Sequence, residues 1–288
     1  MAGLLATAAD AGYFDLLEDM HASLAAAAPG HGLALGVLDL GLTSEQRQLL
    51  EARGVAVVAP DWPLDFPGRA RMPRTYLAQL ARPYLPRWFP GHSPLVWIDA
   101  DCWLQDGQVL QWLRLGSAGG RLAIAQELDR AYGRHYDVHE LWGKHAVFRK
   151  HFGEAAAQRW GLAPSLNVGL FALEAGAPHW AAWAEDMARI LAVDTPGWAE
   201  QAALDHAVLS RGLPVTWLPA RANWVCHHGL PAYCPARRRF VEPLPPFDPL
   251  WVLHLTLEVK RREVPVMRLD GQRLTTSLRW SAVRGLLA

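Results

Sequence analysis

Residues 95–106, Leu-Val-Trp-Ile-Asp-Ala-Asp-Cys-Trp-Leu-Gln-Asp, form an apolar run that ends in two carboxylates separated by one residue. The run Leu95–Ile98 predicts a buried strand. Because side chains alternate along an extended chain, Asp99 and Asp101 should point to the same side. Two such carboxylates are costly unless a cation lies between them, and their oxygens suit Mg²⁺ or Mn²⁺. The segment alone leaves two interpretations open, a metal site or a pair of acids that caps a strand.

The composition is that of a folded globular protein. The 288 residues are 51% hydrophobic and 19% charged, which is typical of a chain with a large core. The 28 basic residues balance the 28 acidic ones, so the charge gives no reason to expect a nucleic-acid partner. We expect no signal peptide and no membrane span. Three cysteines without metal-site spacing favour a reducing, cytoplasmic location.

Strands alternate with helices along the chain. Strands are predicted at residues 4–9, 33–38, 55–58, 95–98, 165–173, 215–218 and 251–255, and helices at 14–28, 44–53, 76–84 and 199–209. This order predicts an α/β fold with a mostly parallel sheet and helices on both faces. Ligands of such sheets bind beyond the carboxyl ends of the strands, so Asp10, Asp99 and Asp101 should meet in one crevice.

Two segments are less regular. Residues 127–160 are rich in His and aromatic residues, and His135 and His139 lie one helical turn apart, a spacing that permits metal ligation. A surface or acceptor-facing helical insert is the favoured interpretation, within a single domain of residues 1–260. Residues 261–288 are basic. A solvated surface is preferred there, and peripheral contact with an anionic membrane is the alternative.

The order of these segments resembles the retaining GT-A glycosyltransferases of glycosyltransferase family 8, which include bacterial lipopolysaccharide galactosyl- and glucosyltransferases and glycogenin. The similar motifs are Ala-Thr-Ala-Ala-Asp-Ala-Gly-Tyr at 6–13, Asp-Ala-Asp at 99–101, Leu-Asn-Val-Gly-Leu-Phe at 166–171, Glu-Gln at 200–201, and His254 with Lys260. The resemblance implies the GT-A fold of nucleotide-diphospho-sugar transferases, with its Rossmann-like, mostly parallel sheet.

The resemblance also implies site residues. The nucleotide-binding set is Ala8, Asp10, Tyr13, Arg82, Asp99, Ala100, Gly169 and Lys260, in which Asp10 and Tyr13 would hold uracil. Arg74 competes with Arg82 for the phosphate contact. The metal set is Asp99, Asp101 and His254, and its imidazole favours Mn²⁺ over Mg²⁺. The set around the donor sugar is Asn167, Glu200 and Gln201, with Gln201 near the anomeric carbon.

The chain departs from the family pattern at three positions. Leu166 stands where many relatives have an aromatic residue, Glu200 stands where the family has Asp, and Leu257 stands where it has a Gly between His254 and Lys260. Six extended residues span about 20 Å, so the chain must turn between Leu255 and Val259 to bring both side chains to one cluster.

The function implied by the resemblance is metal-dependent transfer of a hexosyl group from a UDP-sugar to an acceptor hydroxyl on a glycan or similar molecule, with retention of configuration. Two alternatives remain open. One is a metal-dependent phosphatase or phosphotransferase that uses the Asp-Ala-Asp motif, and the other is a non-catalytic nucleotide-sugar-binding protein. The acceptor is not readable from the sequence.

Overall fold

The computed structural model describes residues 2–133 and 138–288. Its strands are β1 (Leu4–Ala9), β2 (Ala34–Asp39), β3 (Ala56–Val58), β4 (Leu95–Ile98), β5 (Cys102–Leu104), β6 (Leu122–Gln126), β7 (Leu166–Leu173), β8 (Val215–Leu218), β9 (Trp224–Val225), β10 (Ala232–Cys234), β11 (Arg239–Val241), β12 (Val252–His254), β13 (Glu263–Arg268) and β14 (Arg273–Ser277). Its helices are α1 (Phe14–Ala27), α2 (Ser44–Ala52), α3 (Leu77–Leu80), α4 (Leu85–Trp88), α5 (Gln108–Gly116), α6 (Val138–Phe152), α7 (Glu154–Trp160), α8 (His179–Leu191), α9 (Ala199–Arg211) and α10 (Trp280–Leu287).

A seven-stranded sheet in the order β3-β2-β1-β4-β7-β6-β8 forms the centre of the protein. The pairs β2–β3, β1–β2, β1–β4 and β6–β8 are parallel, whereas β7 runs antiparallel to both β4 and β6. One core contains residues of α8 and α9 packed on the sheet, and a second contains residues of α1 and α5. The predicted α/β class with a mostly parallel sheet and helices on both faces is therefore confirmed.

The predicted helix at residues 76–84 is broken in the structure. The α-helix covers only Leu77–Leu80, and 3₁₀ turns flank it at Arg74–Tyr76 and Arg82–Tyr84. Pro83 lies in the second turn and has no N–H to donate to a helical carbonyl, which explains the interruption. The region that was expected to be a helical insert contains α6 and α7, and His135 lies outside the described residues.

Two smaller sheets, β5-β12-β9 and β11-β10-β13-β14, were largely absent from the sequence-based prediction. Their strands are two to six residues long, too short for most of them to show an alternating pattern. The three-stranded sheet matters for the site, because it pairs Cys102 with His254 and so places His254 beside the loop that carries the Asp-Ala-Asp motif.

The basic C-terminal segment is folded against the rest of the chain. Val264, Val266, Leu278 and Val283 are buried in the third core. Arg279 forms ion pairs with Asp15 and Asp19 on α1. Other basic residues here are also paired, namely Lys260 with Asp101, Arg261 with Asp15, Arg262 with Glu258 and Arg268 with Asp270. Among the described residues, no helix is long and apolar enough to cross a membrane.

Strands β13 and β14 form an antiparallel hairpin. Two neighbouring residues on β13 test whether this hairpin unfolds together with the rest of the chain. Val266 is 3% exposed and Met267 is 51% exposed. We predict that Val266→Ala lowers the free energy of unfolding of the whole chain by about 1–3 kcal/mol, because it leaves a cavity in the core. Met267→Ala should change it by less than about 0.5 kcal/mol. Urea denaturation followed by tryptophan fluorescence measures both, and equal, negligible effects would show that the hairpin unfolds independently.

Candidate active site

The carboxyl ends of β1 and β4 open into a cavity of about 410 Å³. Its wall includes Ala8, Asp10, Tyr13, Arg82, Asp99, Ala100, Asp101 and Lys260. Asp10 accepts a hydrogen bond from the backbone N–H of Tyr13 at 2.9 Å, and this holds the start of α1 at the rim. Seven of the eight residues predicted to bind the nucleotide therefore line one cavity. The eighth, Gly169, lies behind it on β7.

Asp99 is held by groups from β4, from β7 and from the 3₁₀ turn Arg82–Tyr84. Its backbone N–H donates to the carbonyl of Gly169 at 2.8 Å, and its Oδ1 accepts from Trp97 Nε1 at 2.8 Å and from Arg82. Arg82 is 6% exposed, lies 4.7 Å over the Trp97 ring and also bonds the Glu200 carboxylate. The principal role of Arg82 in the structure is thus to orient Asp99, leaving Asp99 Oδ2 available.

The competing residue, Arg74, donates to two backbone carbonyls, those of Pro60 at 3.2 Å and Asp39 at 3.4 Å. It does not line the cavity described above. The structure therefore places Arg82, and not Arg74, beside the acidic pair.

Asp101 is held by His254 and Lys260. Its Oδ1 lies 3.4 Å from His254 Nε2, and its Oδ2 accepts from Lys260 Nζ at 2.6 Å. Burial alone would raise the pKa of Asp101, but the charges of His254 and Lys260 hold it below its usual value. Burial alone would lower the pKa of His254, but the charges of Asp101 and Asp99 raise it above its usual value.

The arrangement fits a divalent cation. His254 Nε2 is 3.4 Å from Asp101 Oδ1 and 3.6 Å from Asp99 Oδ2, close to the separation of about 3 Å between neighbouring ligands of an ion bound at about 2.1 Å. Within the described residues, the compact group of candidate metal ligands is Asp101, Cys102 and His254. Burial and the nearby carboxylates raise the pKa of the Cys102 thiol, which favours oxygen and imidazole donors over a thiolate.

Gly169 provides the space that His254 occupies. A Cβ on Gly169 would lie 2.2 Å from His254 Cε1 and 3.1 Å from Asp99 Oδ2. Any larger residue would force the imidazole or the carboxylate to move. Gly169 was predicted as a nucleotide-binding residue, but the structure places it against the two candidate ligands.

The turn between His254 and Lys260 forms without the glycine of the family pattern. Leu257 adopts a φ of 54°, in the left-handed region, at the start of a 3₁₀ helix that spans Leu257–Arg261. Leucine rarely adopts this conformation. The turn returns Lys260 to the cavity, where Nζ donates to Asp101 and, at 3.0 Å, to Tyr13 Oη.

The residues predicted to surround the donor sugar separate into two groups. Asn167 and Glu200 are buried, at 1% and 4% exposure. Asn167 donates to the carbonyl of Asn223, and Glu200 faces Arg82 and does not line the cavity described above. Burial, with the nearby charge of Asp99, raises the pKa of Glu200 to about 8 against the opposing effect of Arg82. The structure thus places Glu200 behind Asp99.

Gln201 lines a second cavity of about 640 Å³. Its Nε2 donates to the carbonyl of Leu166 and to Glu127 Oε1, at 2.8 and 2.9 Å. Glu127 was not singled out in the sequence. Glu127 directly follows β6, as Asp99 follows β4. Its position after an apolar run is the sequence feature that could have identified it as a candidate site residue. Leu166 and Gly169 are three residues apart on β7, or about 10 Å, so β7 bonds Gln201 at one position and Asp99 at the other.

Comparisons with known proteins identify the fold. No protein-family profile and no curated protein sequence matches the chain. Among solved structures, the galactosyltransferase LgtC in complex with donor and acceptor sugar analogues superposes with a TM-score of 0.53 at 17% identity, covering 87% of this chain and 86% of LgtC. Mouse xyloside xylosyltransferase 1 superposes with a TM-score of 0.50 at 11% identity, covering 88% of this chain and 97% of the mouse protein. The bifunctional glycosyltransferase WbbM gives 0.51 at 15% identity, covering 78% of this chain and 40% of WbbM.

These similarities confirm that the chain has the fold of GT-A glycosyltransferases. At these identities they show the fold alone. The membership of glycosyltransferase family 8 and the roles of individual residues remain predictions.

A substitution at Gly169 tests whether the adjacent groups bind a cation. We predict that Gly169→Ala weakens Mn²⁺ binding by at least about 10-fold, because the new methyl group displaces the candidate ligand His254, and loss of a group that only orients a ligand already costs about 10- to 100-fold in affinity. Mn²⁺ binding is measured by electron paramagnetic resonance of the free ion. Gly176→Ala is the matched control, since nothing lies within 4 Å of its added Cβ. Unchanged Mn²⁺ affinity in folded Gly169→Ala would contradict the assignment.

Proposed function

We propose that the protein is a metal-dependent glycosyltransferase that transfers a hexosyl group from a UDP-sugar to an acceptor hydroxyl. The observation that carries the proposal is the pair Asp99 and Asp101 on the wall of a cavity, with His254 Nε2 within 3.6 Å of both carboxylates, in a chain with the GT-A fold. LgtC was solved with donor and acceptor sugar analogues, which supports the same class of substrates here.

Asp99 Oδ2, Asp101 and His254 would hold the proposed cation. When bound, Mn²⁺ or Mg²⁺ supplies positive charge that neutralises the leaving diphosphate. Arg82 keeps Asp99 oriented, and Gly169 leaves room for His254. Lys260 adds a second positive charge at the same side of the cavity, within 2.6 Å of Asp101. This ammonium can donate to a diphosphate oxygen while the carboxylates bind the ion.

The proposed nucleotide site lies at the rim formed by Asp10 and Tyr13. The Tyr13 ring is 38% exposed and offers a stacking face for a base, and the Asp10 carboxylate can accept the N3–H of uracil. Lys260 Nζ lies 5.0 Å from the centre of the Tyr13 ring, so the base site and the diphosphate site are adjacent. The cavity is therefore arranged for a nucleoside diphosphate with the base at its rim.

We place the reacting carbon near β7, which bonds Asp99 through Gly169 and Gln201 through Leu166. Gln201 and Glu127 face the second cavity, in which we place the acceptor. The Glu127 carboxylate can accept a hydrogen bond from the acceptor hydroxyl, and Gln201 fixes its orientation. Retention of configuration rests on the resemblance to family 8. Gln201 is a poor nucleophile, which favours same-face attack assisted by the leaving phosphate.

A screen of nucleotide sugars with Mn²⁺ tests the proposal, with release of free nucleotide diphosphate as the readout. UDP release from a UDP-hexose, increased by an added sugar acceptor, is expected. Release of inorganic phosphate instead would favour the phosphotransferase alternative, which the fold comparison does not support. Tight UDP binding with no turnover of any donor and acceptor would favour a non-catalytic binding protein.

Neutralising one carboxylate tests the metal requirement. We predict that Asp99→Asn lowers the transfer rate at limiting Mn²⁺ by at least about 100-fold, since losing a direct ligand should exceed the 10- to 100-fold loss typical of supporting groups. Asp61→Asn is the control, because this exposed acid pairs with Arg87 at the surface. Turnover is measured over a Mn²⁺ titration, and a wild-type rate in Asp99→Asn would exclude the metal hypothesis.

The base preference has a separate test. Asp10→Ala and Tyr13→Ala should each weaken UDP binding by about 1–3 kcal/mol, the scale of a charged hydrogen bond or of base stacking. Calorimetry with UDP, GDP and ADP in Mn²⁺ measures the preference. Equal affinities for the three nucleotides in the wild-type protein would reject the assignment of these two residues to uracil.

A further inference from the structure

The turn that joins β1 to α1 carries Asp10 and Tyr13 and is held by two distant parts of the sequence. From within the turn, the Asp10 carboxylate accepts from the backbone N–H of Tyr13 at 2.9 Å. From the C-terminal region, Arg261 Nη2 donates to the carbonyl of Gly12 at 2.6 Å, across 249 positions of the sequence. Arg261 thus bonds the backbone between the two residues that we assign to the base.

Two adjacent cations at the end of one 3₁₀ helix have different partners. Lys260 and Arg261 are the last two residues of the 3₁₀ helix that follows β12. Successive residues of such a helix point about 120° apart, because it has three residues per turn. Lys260 Nζ donates to Asp101 in the cavity. Arg261 donates instead to the carbonyl of Gly12 and, through Nη1, to Asp15 at 2.9 Å.

The Tyr13 ring lies close to both cations. Lys260 Nζ is 5.0 Å and Arg261 Cζ is 5.7 Å from the centre of the ring. Both distances are within the range of about 6 Å over which a cation is attracted to an aromatic ring. Arg261 therefore contacts this turn twice, at the carbonyl of Gly12 and at the ring of the next residue.

The ion pair with Asp15 does not by itself explain the position of Arg261. The two side chains are 45% and 46% exposed, and exposed ion pairs contribute little to stability. Asp15 is also bonded by Arg279, which in turn bonds Asp19 at 2.7 Å. Loss of the Arg261 side chain would therefore leave Asp15 paired. The bond to the Gly12 carbonyl is the contact that Arg279 does not duplicate.

We propose that Arg261 is a positioning residue for the nucleotide base. By holding the Gly12 carbonyl and the Tyr13 ring, it fixes the turn so that a uracil can stack on the ring while its N3–H meets Asp10. The guanidinium suits this role, because its planar fork of donors bonds two acceptors in a fixed geometry. This inference rests on the proposed function, and it adds a residue that acts through the turn, apart from the cation and the diphosphate.

Two probes separate a role at the base from a role at the diphosphate. UDP has both groups, and inorganic pyrophosphate has no base. In Arg261→Ala, we expect the affinity for UDP to fall by roughly 5- to 30-fold, the scale of one or two lost hydrogen bonds, and the affinity for pyrophosphate to stay the same. Calorimetry in Mg²⁺ measures UDP directly and pyrophosphate by displacement of UDP. Unchanged UDP affinity, or an equal loss for pyrophosphate, would overturn the proposal.

A conservative variant tests whether geometry or charge matters. Arg261→Lys keeps the positive charge and loses the planar fork. Its UDP affinity should therefore be closer to that of Arg261→Ala than to that of the wild-type protein. A UDP affinity closer to the wild-type value would show that the charge alone is responsible, and this would overturn the positioning role.

The neighbouring arginine provides the matched control. Arg262 pairs with Glu258 at 3.0 Å on the surface, so Arg262→Ala should leave the affinities for UDP and pyrophosphate unchanged. Both alanine variants should keep the wild-type melting temperature, because Asp15 retains Arg279. A large decrease in melting temperature in Arg261→Ala alone would assign the residue to the fold and overturn the proposal.

The same measurements separate this inference from the proposed function. If neither UDP nor pyrophosphate binds the wild-type protein, the proposed function is contradicted. Normal UDP binding by the wild-type protein and by Arg261→Ala contradicts only the role of Arg261.

Discussion

The structure around the site depends on the need to hold two neighbouring carboxylates at the end of a buried strand. Asp99 and Asp101 are too close to share a buried position as bare charges. Two cations and an imidazole from distant parts of the chain hold them: Arg82 bonds Asp99, Lys260 bonds Asp101, and His254 Nε2 lies 3.6 and 3.4 Å from the two carboxylates. The acidic pair therefore ties together the segment before β4, the end of β12 and the turn that follows it.

The elements that the sequence predicted well are those governed by local patterns. The apolar strands β1 to β4 and the alternation that puts Asp99 and Asp101 on one side of the chain need no knowledge of distant contacts. The antiparallel direction of β7 and the two small sheets depend on pairing between residues far apart in sequence. A strand as short as β9, which has two residues, is too short to show the alternating pattern from which a strand is predicted.

The same distinction applies to the candidate site. Asp10, Tyr13 and Lys260 were placed near the nucleotide by resemblance, and they line one cavity in the structure. The hydrogen bonds of Arg82 and Glu200 were not predictable, because they depend on how α9 packs against β7 and the neighbouring helices. Leu257 replaces the glycine that the family has in the turn to Lys260. The structure accommodates it in a left-handed backbone, with its side chain exposed at the second cavity.

The central claim is that one divalent ion is bound by His254 and the acidic pair and also contacts a nucleoside diphosphate. Electron-nuclear double resonance of Mn²⁺ in the presence of UDP tests it most directly. The account predicts ³¹P coupling from the diphosphate together with ¹⁴N coupling from an imidazole, and the ¹⁴N signal should disappear in His254→Ala. A Mn²⁺–UDP spectrum without nitrogen coupling in the wild-type protein, or one unchanged by His254→Ala, would contradict the account.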